Sequence, residues 1–385
     1  MELLQGGAPA PAAELGLVTL REFTASDADA EALMSWASDP RVARFQRRDA
    51  YTSLDQARRY IADHVLPHPW YRAICVAGRP VGSISVKPAA PAETDGDGGL
   101  PFIRASVGYR VAHEYWGRGV ATRAVRAAAD AAFAAWPWLR RLEAVADVEN
   151  PASQRVLEKA GFVREGVLRR YILLKGRPRD MVMFSIVDTD PTDRAMEPAA
   201  DGDAQGQRRR VEEPAPLVSL RPLGLDDTDD FMAWASDDRV MRFLKRPLCA
   251  TREQAVAQIR DTVLGHPWFR AVCVDGRPVG QVSVWPYADD GGRRANLGYA
   301  LAHDHWGRGV AAAAIKMVVG RVFDELPGLE RLEAVTDVEN VRSQRVLEKA
   351  GFHKEGILRS YIAGRAGGKA KDAVIYSFLS SDRAS

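Results

Sequence analysis

The stretch GYRVAHEYWGRGVATRAV (residues 108–125) decides the fold, and it occurs twice: GYALAHDHWGRGVAAAAI (residues 298–315) follows 190 residues later. An alternating apolar run leads into two glycines, Gly117 and Gly119, and then into an Ala-rich run that stops near Pro137. The pattern predicts a strand, a glycine turn and a helix. Glycines let the backbone approach a ligand closely. The first N–H groups of a helix have no partner inside it. Together these make an anion site suited to a pyrophosphate, with Arg118 and Arg308 adding charge nearby. A tight strand-to-helix turn that needs glycine only for its geometry is the other reading of the same residues.

Working outward, the repetition extends along the chain. HPWYRAICVAGRPVG (residues 68–82) returns as HPWFRAVCVDGRPVG, 198 residues on, whereas RLEAVADVEN and SQRVLEKAGF return 190 residues on. The length difference falls in PAAPAETDGDGGLP (residues 88–101), a Pro/Gly/acidic loop whose counterpart is the shorter PYADDGGRR. This is one domain written twice, each copy of roughly 170 residues being long enough to bury its own core. The division expected is a first domain over residues 1–187, a linker over 188–216 and a second domain over 217–385. The linker is rich in Pro, Gly and charge and poor in large apolar residues. Its Arg208, Arg209 and Arg210 read as a solvated charge run or as a basic address signal.

Each copy reads as β-α-α-β-β-β-α-β-α-β-β. Leu17 to Phe23 alternates as a strand, and Ser26 with Asp29 opens a helix. Ser53 with Gln56, and Thr251 with Gln254, form capping boxes for a second helix. Strands at 73–77 and 81–86 flank a hairpin turn at Gly78-Arg79, and Asp275-Gly276 is the turn of the second copy. Strands follow at 105–112 and 142–148. A helix is punctuated by Asn150, Pro151 and Gly161, and the last strands lie around 163–169 and 181–187. The fold class is α+β, with a mixed sheet in each domain.

Composition is that of an ordinary globular protein, 46% hydrophobic and 27% charged. Lys and Arg number 53 against 51 Asp and Glu, a balance that argues against a nucleic-acid partner. No apolar run reaches the roughly 20 residues that span a bilayer, so no membrane is expected as a partner. Residues 1–16 carry no Lys or Arg and two Glu, unlike a secretory leader or an Arg-rich transit peptide. Cys75, Cys249 and Cys273 offer neither a disulfide framework nor a metal pair, and Cys75 and Cys273 fall in apolar strands. A cytoplasmic protein without a metal, with the nucleus also open to it, is the expectation.

The GYRVAHEYWGRGVATRAV stretch, followed by ENPASQRVLEKAGF, resembles the GNAT acyl-CoA N-acyltransferases, and within them the RimJ/RimL-like branch with its plant-type members. The resemblance covers residues 17–187 and 217–379. It implies two tandem GNAT-like domains, each a mixed, mostly antiparallel sheet with splayed fourth and fifth strands flanked by helices. It further implies acetyl-CoA as co-substrate, with the pantetheine arm along the fourth strand at Val111 and Leu301. The pyrophosphate would rest on Arg118, Gly119, Val120, Ala121 and Thr122, and on Arg308, Gly309, Val310 and Ala311. Trp116 and Trp306 stand where the wider family has Arg or Gln, and Ala312 replaces Thr122 with the loss of a hydroxyl. Asn150, Ser153, Asn340 and Ser343 match the branch's N-x-x-S and are the catalytic candidates. Asn150 is equally a good helix cap. Arg41, Phe45, Arg239 and Phe243 take positions that line the family's acceptor groove. Trp70 and Trp268 either line it or pack in the core.

Related enzymes often carry a general-base Glu two residues before the Gly of the GY pair, where this chain has Ser106 and Asn296. Asp147, Glu149, Asp337 and Glu339 could substitute, though they read better as a solvated edge. A Lys amine with pKa about 10.4 costs roughly 4–5 kcal/mol to neutralise at pH 7, against about 1–1.5 for an α-amine near 8. A weak base therefore suits a protein or peptide N-terminus. His68, His113, His266 and His303 recur as structural histidines, while Tyr171 and Tyr361, expected after the sixth strand, could protonate the thiolate. The reading is an N-acetyltransferase acting on an α-amine. The alternatives are an acyl-CoA-binding interaction protein with one or both domains silent, and a small-amine or polyamine acetyltransferase. A polyamine site would be acidic, and the acidic cluster Glu93, Asp95 and Asp97 occurs in the first copy only.

Overall fold

The computed structural model describes residues 17–89, 103–190, 217–244, 248–364 and 368–384. Glu93, Asp95, Asp97 and Arg208 to Arg210 lie outside the described residues.

Local hydrogen bonds start the helices where the sequence says they should. β1 (Val18–Arg21) leads to α1 (Asp27–Ala37), where Ser26 Oγ accepts from Asp29 N at 3.3 Å. α2 (Pro40–Ala43) is one turn capped by Asp39. α3 (Leu54–Tyr60) begins with Ser53 N donating to Gln56 Oε1 and continues into one wider turn at Ile61–Val65. The first half continues with β2 (Tyr71–Val76), β3 (Arg79–Pro88), β4 (Arg104–Val111), α4 (Val120–Ala135) and β5 (Arg141–Asp147). It closes with α5 (Pro151–Lys159), β6 (Val163–Leu174) and β7 (Arg177–Val187). The second half repeats this as β8 (Val218–Arg221), α6 (Thr228–Ala235), α7 (Asp238–Met241), α8 (Arg252–Gln258), β9 (Phe269–Val274), β10 (Arg277–Pro286) and β11 (Arg294–Leu301). There follow α9 (Val310–Val319), α10 (Val322–Glu325), β12 (Arg331–Asp337), α11 (Val341–Lys349), β13 (His353–Ile362) and β14 (Lys371–Leu379).

The first hairpin turn sits on Ala77 and Gly78 (φ 48° and 78°), one residue earlier than the Gly78-Arg79 expected. Asp275 and Gly276 (φ 51° and 82°) take the equivalent turn as read. β6 and β7 are longer than the pattern suggested. Tyr171 and Tyr361 therefore lie inside β6 and β13 rather than after them.

Each half is a mixed α+β layer structure. In the first, α4 buries Val120, Ala124, Val125, Ala128 and Ala132 against one face of the sheet. On the other face α1, α3 and the wider turn after it pack Leu33, Trp36, Ala57 and Ile61 on Tyr71, Ala73 and Cys75. The three cysteines are buried and form no disulfide.

The two halves do not sit apart on a linker. Their seven-stranded sheets meet edge to edge, β6 against β13 with Gly166 opposite Gly356, in one sheet of 14 strands. A Cβ at Gly166 would run into Glu355 O, and one at Gly356 into Glu165 O, so this approach requires glycine at both positions. Around the crossing the contacts are reciprocal. Arg141, fully buried, is bidentate to Glu165, and Arg331 to Glu355. Glu165 also accepts from Arg359 N, and Glu355 from Arg169 N. Asp190, expected in the linker, pairs with Arg359 at 2.7 Å and belongs to this junction.

Candidate active site

The site grows from a local failure of strand pairing. β4 and β5 run parallel and pair only at Arg104 to Ser106 with Arg141 to Glu143. Beyond that they diverge, and β11 and β12 do the same after Asn296 and Glu333. Ile103 O accepts from Arg140 N and Arg141 N, and Ala112 N donates to Val81 O on β3. Alternation along the strand therefore turns the backbone groups of Val107, Tyr109 and Val111 into the gap. They form an edge that no described strand pairs, able to bind an extended amide chain.

The WGRGV loop closes the mouth of this gap. Gly117 and Gly119 adopt φ of 73° and 75°, and Gly307 and Gly309 of 74° and 81°, the left-handed region that favours glycine. Gly119 and Gly309 are the N-caps of α4 and α9 and offer no capping side chain, so the first helical N–H groups stay open. Trp116 Nε1 donates to Val111 O at 2.7 Å and Trp306 Nε1 to Leu301 O at 2.9 Å, tying the loop to the end of the strand. This is the structural use of the Trp that replaces Arg or Gln. One lone pair of Val111 O and of Leu301 O is thereby taken. Arg118 and Arg308 are exposed beside the loop.

Across the gap, Asn150 caps α5, its Oδ1 accepting from Ser153 N at 3.1 Å, and Asn340 does the same for Ser343 at 3.2 Å. Asn150 and Asn340 thus do the capping job in both halves. Ser153 Oγ is 2.8 Å from Tyr109 Oη, and Ser343 Oγ is 2.7 Å from Tyr299 Oη. Each Tyr O–H also donates to the backbone carbonyl of its Ser. Burial pushes the Tyr109 phenol up to about 12, so it stays protonated at neutral pH. Tyr109 and Tyr299 were missed in the sequence, although the GY pair carries them in both copies.

The carboxylate that the sequence did not supply on β4 is present one strand over. Glu143 is the Cα partner of Ser106, and Glu333 that of Asn296. Burial works to raise the Glu143 carboxyl, but Arg104 and Arg141 outweigh it and hold it below its usual range. Arg294 and Arg331 do the same for Glu333. Each is therefore an anchored anion rather than a proton acceptor. The signal was the charged residue alternating through RLEAV in both copies. Asp147 and Asp337 are not a solvated edge: both are buried, Asp147 pairing with Arg179 and Asp337 with Lys371. Glu149 is more exposed and pairs with Arg179 at 2.5 Å and with Arg44 at 4.0 Å.

The remaining candidates separate. Arg41 and Arg239 are held by Asp39 and Asp237, each at 2.6 Å, at the exposed ends of α2 and α7. Phe45 and Phe243 lie beneath Arg44 and Arg242. Trp70 and Trp268 are not brought to this face: they are buried in the cores under α4 and α9, and Trp268 Nε1 donates to Glu325. His68 and His266 accept from the N–H of the Trp two residues on, and His113 and His303 pack on Trp116 and Trp306. Tyr171 and Tyr361 do not face their own serines. Tyr361 lies under Arg104 of the first half (3.9 Å), and Tyr171 under Arg294 of the second (4.3 Å). No helix among the described residues is long and apolar enough to cross a membrane.

Comparison with known proteins places this geometry. A family model described as "Acetyltransferase (GNAT) domain" matches residues 18–163 and again residues 218–353. An "Uncharacterized N-acetyltransferase p20" of Bacillus licheniformis is 31% identical over 175 residues, which are 44% of this chain and 92% of that protein. "Uncharacterized N-acetyltransferase YoaA" of Bacillus subtilis is 31% identical over 166 residues, 42% of this chain and 92% of its own. Among solved structures, Mycobacterium smegmatis RimJ in complex with CoA-disulfide is 25% identical, covering 44% of this chain and 85% of that one with a TM-score of 0.37.

Proposed function

The chain belongs to the acetyltransferase (GNAT) family in both of its halves, and on that premise we propose that each half transfers an acetyl group from acetyl-CoA to a primary amine, a protein or peptide N-terminal α-amine. The domains proposed are residues 1–187 and 217–385, joined by 188–216. The observation that carries the reading is the β4–β5 gap, with open N–H groups at the WGRGV loop and a Ser–Tyr hydroxyl pair at the other side. The loop amides of Gly119, Val120 and Ala121, with Arg118 and Thr122, would take the pyrophosphate. Gly309, Val310, Ala311 and Arg308 would do so in the second half. The open edge from Val107 to Val111 would take the pantetheine amides.

In the reaction the neutral amine attacks the thioester carbonyl, the C–N bond forms and the C–S bond breaks. The amine's surplus proton leaves to water, the thiolate takes a proton from Ser153 Oγ–H, Tyr109 Oη–H replenishes the serine, and the tyrosine regains a proton from water. Because Glu143 and Glu333 are kept ionised by arginines, neither is a strong base, which again suits an amine of low pKa. The polyamine alternative fits less well. The described cleft of the first half carries Arg110, for which the described residues supply no carboxylate, and such a guanidinium repels a polycation.

The test is release of free CoA thiol from acetyl-CoA with a panel of peptides and small amines, the products identified by mass spectrometry. Acetylation at peptide N-termini, exceeding that of polyamines, is expected. No thiol release with any acceptor would overturn the enzyme reading in favour of a CoA-binding protein.

A further inference from the structure

The two halves differ in polar residues on the sheet face that carries Arg110. Arg110, Tyr60, Tyr71 and Ser83 in the first half are replaced by Ala300, Gln258, Phe269 and Gln281 in the second. In the second half the polar groups satisfy one another: Trp234 Nε1 donates to Gln281 Oε1 at 3.2 Å, and Cys249 Sγ to Gln258 Oε1 at 2.9 Å.

The first half has an excess of donors instead. Arg110 Nη2 donates to Tyr60 Oη at 3.3 Å, Tyr60 Oη is 3.3 Å from Tyr71 Oη, and Tyr71 Oη is 3.1 Å from Ser83 Oγ. Among the described residues the chain of hydroxyls ends there, without a carboxylate. Trp36 Nε1, the counterpart of the satisfied Trp234, has no acceptor among the described residues. Among those residues Arg110 also has no acidic partner within the 4.0 Å that defines an ion pair. Its neighbours on the same face are all paired: Arg104 with Glu143, Arg141 with Glu143 and Glu165, and Arg179 with Asp147 and Glu149. A guanidinium offers five donors, and among the described residues one of them has a hydrogen-bond partner, the group otherwise lying 5.7 Å over the Tyr60 ring. A second cation stands behind it: Arg48 lies 4.5 Å over the Tyr60 ring, in an open cleft that Arg59, Asp63 and His64 also line.

Arg110 follows Gly108 by two residues on the acceptor face of β4, about 7 Å along the strand. Ser106, opposite Glu143, is as far on the other side. An acceptor amine lying over Gly108 would have an anionic anchor to one side and a cationic anchor to the other. We propose that Arg110, with Tyr60 and Tyr71 behind it, binds a carboxylate carried by the acceptor of the first half, and that the second half, with Ala300, takes acceptors that lack one. The carboxylate can be an acidic side chain near a peptide N-terminus or the α-carboxylate of a free amino acid. The inference rests on the reading of both halves as acetyl-transferring sites.

The test uses the full chain carrying Gly309→Trp, so that the first half alone is read. The acceptors are one peptide with Glu, Gln or Lys at its second residue, and free amino acids with their amides. The quantity compared is the ratio of kcat/KM for the acidic and the neutral acceptor. Arg110→Ala is expected to lower that ratio about 10- to 100-fold, the range for a hydrogen-bonded charge pair, with Arg110→Lys in between. A ratio unchanged in Arg110→Ala, or no preference for acidic acceptors in its parent, overturns the proposal. A peptide preference without an amino-acid preference assigns the carboxylate to a side chain, and the reverse assigns it to the α-carboxylate. Binding of the Glu and Gln peptides to the CoA-loaded protein is measured in parallel. If no acceptor is acetylated but the Glu peptide binds tighter than the Gln peptide only when Arg110 is present, acetyl transfer fails and the carboxylate site stands. Equal binding of the two sinks the site.

Discussion

Replacing Glu165 by Gln tests the junction on which both clefts are built. Glu165 Oε1 accepts from Arg141 Nη1 (2.7 Å), Ser185 Oγ (2.7 Å) and Arg359 N (2.8 Å), and Oε2 accepts from Arg141 Nη2 (2.6 Å). All four partners are donors. A Gln amide must turn its NH2 toward at least one of them, so a bond becomes a donor–donor contact. It also removes the charge facing Arg141, which is 0% exposed and keeps Glu143 at 2.8 Å as its remaining carboxylate among the described residues. Breaking a buried ion pair from one side costs about 3–5 kcal/mol. With Glu143 still in place the low end applies, about 3 kcal/mol. At roughly 2–4 °C per kcal/mol for a unit of this size, Tm should fall by about 6–12 °C. Denaturant titration followed by circular dichroism measures the loss directly. The loss should change little between low and high salt, because the pair is out of reach of mobile ions. Glu355→Gln should match it, since Arg331, Ser377 Oγ and Arg169 N surround Glu355 in the same way. A loss below about 1 kcal/mol, or a strong salt dependence, would refute the assignment of this pair as a buried charge holding the halves together.

Further outcomes concern the reaction and its pH dependence. Gly119→Trp and Gly309→Trp each place a bulky side chain at a left-handed N-cap in the loop, so titration calorimetry should find two CoA sites per chain in the parent and one in either variant. In the Gly309→Trp background, Ser153→Ala should lower kcat by about 100-fold, the lower bound for losing a positioned acid, while the KM for acetyl-CoA moves little. Tyr109→Phe and its parent should share one pH profile of kcat up to about pH 10, because the Tyr109 phenol, at about 12, does not ionise in that range. Asp147 is pushed up by burial, but its bonds from Arg179 and from Glu149 N outweigh this and hold it below its usual value. A folded-state pKa below the unfolded one contributes stability that is complete above about pH 4 and is lost as pH falls through the lowered value. Asp147→Asn should accordingly flatten the acid limb of stability against pH, and an unchanged limb would show that the pairing with Arg179 contributes nothing.

What could be read from the residues alone was local. The caps at Ser26 and Asn150 and the boxes at Ser53 and Thr251 each depend on atoms within four residues. They formed where the sequence placed them. Repetition then marked which elements belong to one unit. The family resemblance in the WGRGV loop and the N-x-x-S turn rested on the same short-range patterns. Residues that join strands were opaque. Glu143 reads as a surface charge until Ser106 is laid beside it, and Tyr109 finds Ser153 only 44 residues on. Trp70 and Tyr71 are adjacent in sequence, yet pleating sends one to each face of the sheet, and only the register of β2 against β3 decides which. The junction was the least legible of all. Two copies of one sequence carry the same motif, so nothing in either copy says whether Arg141 will meet a carbonyl of its own half or, as it does, that of Arg359, 218 residues away. Helix starts and turns are fixed by hydrogen bonds that a few neighbouring residues make among themselves. The fused sheet and the exchanged tyrosines arise from contacts whose partners chain connectivity does not specify, and packing alone selects among them.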